Sequence, residues 1–152
     1  MAGRAGRPVE RRLAFWDASA LVPLCVRQNF TPQTVLLYKK YDAVVWWATP
    51  VEIASAMARL VRMRQLDPRD WAAARRVAAD LAIEWSMIQP SDALRARASQ
   101  LVDSHHLRAA DALQLAAALR WCEDVPQGEV FLTADERLRA AAVLSGFNGH
   151  PI

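Results

Sequence analysis

The chain has 152 residues, 53% hydrophobic and 23% charged, a profile that suits one folded domain and excludes a disordered polymer. At this length roughly 70% of the unfolded surface can be buried, so no disulfide or metal staple is needed for folding. No run approaches the ~18 apolar residues of a membrane span, and a net charge of +3 favours a polyanionic partner without requiring one.

The opening MAGRAGRPVERR is basic and lacks the apolar core and cleavage site of a secretory signal. It reads as a flexible tail over residues 1–12 of a cytoplasmic protein, with the folded domain at 13–152. Residues 13–16 form a short apolar run ending at Asp17, a buried strand. Residues 19–26 read as a helix. A second helix is predicted over 31–41, with Thr31 as N-cap and Pro32 at its first position. The β-branched and aromatic run 43–47 predicts another strand. Helices follow over 49–65 and 68–85, and 86–89 is a short strand. Residues 91–105 carry Leu94, Ala98, Leu101 and Val102 at helical spacing, and 107–121 is an Ala- and Leu-rich helix buried on most sides. Residues 129–133 read as a strand, 134–144 as a helix and 147–152 as a last strand. Apolar strands alternating with helices predict βαβ units and a mainly parallel sheet covered on both faces.

In such a sheet, ligands bind at the carboxyl ends of the strands. Asp17 ends the first strand, Asp135 follows the strand at 129–133, and Glu52 opens the helix after the second strand. Each has a bland explanation. Thr49-Pro-Val-Glu52 matches a capping box, Thr133 can cap the last helix with Asp135 in its first turn, and Asp17 can cap the helix after it. Asp111 fits less easily, because it is expected inside the apolar helix, where aspartate is disfavoured and an unpaired carboxylate is costly to bury. Pairing with Arg108 is one remedy; metal coordination or catalysis is the other. Four carboxylates brought together repel one another unless a cation neutralises them. Oxygen ligands without Cys or His favour magnesium or manganese over zinc. Such ions activate water and stabilise charge on a scissile phosphate, with Ser19 and Thr133 placed to orient a ligand.

Other residues carry less. Cys25 and Cys122 form no CxxC or Cys/His cluster and read as small buried residues. His105 and His106 end a helix, where the dipole favours them. Trp16, Trp46 and Trp47 are assigned to the core. Seventeen of the nineteen basic residues are Arg, suited to phosphate contacts but more readily a product of genome composition.

The segments FWDASAL (15–21), TPVEIASA (49–56), LRAADALQLA (107–116) and FLTADERL (131–138), in this order and spacing, resemble PIN-domain nucleases. They look most like the VapC-type toxins of type II toxin–antitoxin pairs, and the resemblance spans nearly the whole chain. It implies a PIN-like α/β/α sandwich with a four- to five-stranded, mainly parallel sheet. It implies a Mg2+- or Mn2+-dependent endoribonuclease that cuts structured RNA, such as tRNA or rRNA, by water attack on a phosphodiester. Asp17, Glu52, Asp111 and Asp135 would be both catalytic residues and metal ligands. The implied partners are the RNA, a cognate VapB-like antitoxin and a second copy of the chain, with no membrane. The alternative is a catalytically silent PIN-like module that binds RNA or protein. An aspartyl-phosphate phosphatase of the haloacid dehalogenase type also places an Asp after its first strand. It needs a second Asp two residues on and a later Lys, whereas position 19 is Ser and no Lys follows Lys40.

Overall fold

The computed structural model describes residues 11–28 and 31–150; most of the basic tail lies outside them. Five strands carry the fold: β1 (Arg12–Trp16), β2 (Tyr41–Trp46), β3 (Ser86–Ile88), β4 (Val130–Leu132) and β5 (Asn148–His150). They form one sheet in the order β3-β2-β1-β4-β5, and every adjacent pair is parallel. The sheet is therefore fully parallel, with five strands.

Alternation along the strands explains the two cores. A residue and its neighbour point to opposite faces, so Ala14 and Trp16, Ala43 and Val45, and Val130 and Leu132 fill one apolar layer. Phe15, Val44, Trp46 and Phe131 fill the other. The first layer is closed by α1 (Ala18–Cys25), α2 (Thr31–Lys40), α3 (Thr49–Arg62) and α4 (Pro68–Ala82). The second is closed by α5 (Asp92–His105), α6 (Ala109–Trp121) and α7 (Glu136–Ser145). Both faces being covered, the three central strands, β1, β2 and β4, are largely apolar along their length. No helix among the described residues is long and apolar enough to cross a membrane.

Phe131 lies at the centre of the second layer, fully buried, 5.2 Å from the Phe15 ring and 5.6 Å from Phe147. Phe131→Ala is expected to lower unfolding free energy by about 3–5 kcal/mol, measured by urea denaturation. A loss under about 1 kcal/mol would contradict this placement.

Several elements start elsewhere than the sequence pattern predicts. Tyr41 belongs to β2 rather than to the helix before it. Thr31 turns its hydroxyl backward, donating to the Pro23 carbonyl and accepting from the Gln28 amide. Trp47 is not a core residue: it is 52% exposed, its ring edge-to-face with the buried Trp46 ring. The cysteines are half-buried free thiols, and burial pushes Cys25 up to about 11.

Candidate metal centre

The parallel register decides what stands beside Asp17. Trp16 pairs with Leu132, and the Asp17 amide donates to the Leu132 carbonyl at 2.9 Å, so the residues leaving β1 and β4 emerge side by side. The strand order reverses between these two strands, the place where open α/β sheets build their sites.

Asp17 is buried and caps α1, accepting from the Ser19 amide at 3.3 Å. The Ser19 hydroxyl donates to the same carboxylate oxygen, Oδ2, at 2.5 Å, and the Thr133 hydroxyl donates to it at 2.9 Å. Ser19 is fixed in turn by the Ala134 amide, 2.9 Å from its Oγ. Ser19 and Thr133 thus orient Asp17. Thr133 is not the cap of α7: Asp135 itself takes that place, with Oδ1 accepting from the Leu138 amide at 2.8 Å.

Glu52 lies in the first turn of α3 but not in a capping box. Thr49 is already helical, Ala48 precedes it without a side-chain cap bond, and the buried Thr49 hydroxyl faces Gln114. Glu52 Oε2 accepts a hydrogen bond from Gln114 Nε2. Asp111 is not inside its helix either. Because α6 begins at Ala109, Asp111 falls in the first turn and is half-buried. No ion pair with Arg108 forms among the described residues.

The four acids therefore stand at the N-termini of four helices, α1, α3, α6 and α7. Each position alone is favoured by the helix dipole. What single dipoles do not explain is their mutual electrostatic influence. Burial, and then the charges of Asp17 and Asp111, push Glu52 up to about 7, against the pull of the Gln114 hydrogen bond. Burial, then Asp135 and Asp17, raise Asp111, while Arg108 and Arg137 draw it down. Burial raises Asp17, opposed by its bonds to Ser19 and Thr133. Acids from four separated segments thus feel one another's charge. Among the described residues, no three Asp, Glu, His or Cys side chains are already drawn together as a cage for one ion.

Residues 14–144 match the PIN domain family. The chain is a PIN domain. PIN domains are generally nucleases that use divalent metals. No protein of curated function matches the sequence. Among solved structures, this PIN domain is similar to PAE2754 from Pyrobaculum aerophilum, at 21% identity and a TM-score of 0.63, over 91% of this chain and 89% of that one. It is also similar to FitAcB from Neisseria gonorrhoeae, at 16% identity and a TM-score of 0.60, over 90% of this chain and 97% of that one. At these identities the likeness is one of fold.

The donors fit a hard divalent ion. They are carboxylate oxygens with no thiolate or imidazole among them, and their mutual repulsion is what such an ion relieves. Sequence reasoning passed over Gln114 in this PIN domain. It is fully buried in α6, its Nε2 serves Glu52 and lies 3.3 Å from Thr49 Oγ1, and its Oε1 has no hydrogen-bond partner among the described residues. An unsatisfied buried acceptor costs about 1–3 kcal/mol. The available signal was one amide amid Ala and Leu, three residues after Asp111.

Proposed function

We propose that this PIN domain, spanning residues 13–152 behind a short basic tail, is a VapC-type toxin. In this reading it is a Mg2+- or Mn2+-dependent endoribonuclease that cuts structured RNA, tRNA or rRNA, by water attack on a phosphodiester. It works in the cytoplasm as a homodimer and is held in check by a VapB-like antitoxin. What supports the reading is that Asp17, Glu52, Asp111 and Asp135 stand at the N-termini of four helices, where burial raises Glu52 and Asp111 and the neighbouring acids add to the rise, Asp17 and Asp111 at Glu52, Asp135 and Asp17 at Asp111.

The chain's own residues have separable tasks. Asp17, locked by Ser19 and Thr133, offers a carboxylate that needs no reorganisation to bind. Glu52 on α3 and Asp111 on α6 are near enough to feel its charge, and Asp135 is the fourth acid at the start of α7. A bound divalent ion supplies the positive charge that lowers the pKa of water and stabilises the phosphate in the transition state. Arg108 and Arg137, exposed and near enough to Asp111 to bias its charge, give the rim positive potential toward an RNA backbone.

The test is cleavage of total RNA with Mg2+, with Mn2+ and with chelator, using an Asp111→Asn control. Ion-dependent cleavage lost in the control is expected. One observation favours the silent binding module, namely that no ready cage is formed among the described residues. RNA binding without cleavage in any ion would establish that module instead. Ion binding to the folded state alone raises stability by RT ln(1 + [L]/Kd), about 2.7 kcal/mol at a hundred-fold excess over Kd. Mn2+ at such an excess should raise Tm by roughly 5–10 °C, read by thermal unfolding. No shift at millimolar Mn2+ would count against the site.

A further inference from the structure

Gln114 is the one polar residue among the buried positions of α6, whose other buried members are Ala and Leu. Its carboxamide is satisfied on one side only. Nε2 donates to Glu52 Oε2, with Thr49 Oγ1 at 3.3 Å, while Oε1 has no partner among the described residues. An apolar side chain here would avoid the orphaned carbonyl, so helix packing alone gives no reason for an amide. Position gives one. Gln114 lies three residues after Asp111 on the same helix, and residues at that spacing share a face. One helix thus carries one acid of the site directly and grips a second acid, from α3, through an amide. The grip fixes where Glu52 stands relative to Asp111.

We propose that Gln114 is a positioning residue of the acidic site: by clamping Glu52 against the helix that bears Asp111, it sets the spacing of two carboxylates and hence the affinity for the divalent cation. The proposal rests on the reading of this site as a metal centre. Gln114 touches neither RNA nor the reacting atoms, so its effect belongs to ion binding. Removing an outer partner of a metal ligand characteristically weakens ion affinity by about 10–100-fold.

The experiment is Mn2+ titration of the full chain, followed by the electron paramagnetic resonance of free ion and by Tm, on wild type, Gln114→Met and Thr49→Val. Gln114→Met keeps volume and removes both amide groups, and Thr49→Val loosens the amide from its other side. Gln114→Met should weaken Mn2+ binding about 10–100-fold with a metal-free Tm no lower than wild type. Excess Mn2+ should restore kcat with KM for RNA unchanged. Thr49→Val should shift affinity in the same direction by less, and it decides the matter if Gln114→Met does not fold. In a Glu52→Gln background, Gln114→Met should weaken binding no further. Mn2+ affinity within two-fold of wild type in the folded variants would overturn the role of Gln114 and leave the metal centre standing. A wild-type chain that binds no Mn2+ would overturn both.

Discussion

Asp17→Asn is expected to lower RNA cleavage by at least about a thousand-fold while leaving the fold intact. Asp17 is the most buried acid of the four, and its pKa is raised mainly by that burial. Ser19 and Thr133 place their hydrogen bonds on Oδ2. An amide oxygen there can keep all of these bonds, so the local structure has no reason to change. The negative charge that holds a divalent ion is lost. Stabilisation by such an ion amounts to several kcal/mol, which corresponds to roughly a thousand-fold in rate. Single-turnover cleavage of total RNA gives the rate, and circular dichroism checks the fold. Activity within ten-fold of wild type would remove Asp17 from the mechanism.

The second large effect concerns stability and runs opposite to activity. Glu52 is pushed up to about 7, by burial first and then by Asp17 and Asp111, whereas an unfolded glutamate titrates near 4.3. Below the lower value both states are protonated, and the group contributes nothing. Between the two values the folded state holds a proton that the unfolded state has released, so stability falls as pH rises through this window. Above about 7 the penalty is fully present. Allowing for solvent around a half-buried group, it is on the order of 2 kcal/mol. Glu52→Gln should therefore raise the Tm of the metal-free protein by roughly 4–8 °C at pH 8 and leave it nearly unchanged at pH 4, while abolishing cleavage. Saturating Mn2+ should narrow or reverse the difference, since the ion stabilises the wild-type site more than the variant, whose affinity is lower. Equal Tm values at pH 8 without metal would mean that Glu52 bears no such strain. A variant at once more stable and less active is the pattern expected of a site assembled for function.

The fold was legible because its signals are local. The runs around Phe15, Val44 and Phe131 are apolar on both faces, as a covered sheet requires, and their alternation with helical patterns makes that sheet parallel. Asp17 was legible for the same reason, as the first charge after a buried strand. Where a bland local alternative does not hold, a long-range contact overrides a local rule. Thr49-Pro-Val-Glu52 satisfies every local requirement of a capping box, yet Gln114, 62 residues away from Glu52, takes the glutamate instead. Thr133 is a good cap by type, but Asp17, 116 residues away, takes its hydroxyl and leaves the cap to Asp135. Asp111 was singled out as an interior helical aspartate. The helix begins later, and a first-turn aspartate is ordinary, so its significance comes from Asp17 and Asp135 being near. Gln114 escaped notice because a buried amide has no signature in sequence beyond its apolar neighbours.

The most direct test of the account is the anomalous scattering of Mn2+ in crystals of the full chain grown with the ion. A peak is expected at coordination distance, about 2.1 Å, from the Asp17 carboxylate, with Glu52, Asp111 or Asp135 completing the oxygen shell. Manganese bound only elsewhere, or an arginine filling the space between Asp17 and Asp111, would contradict it.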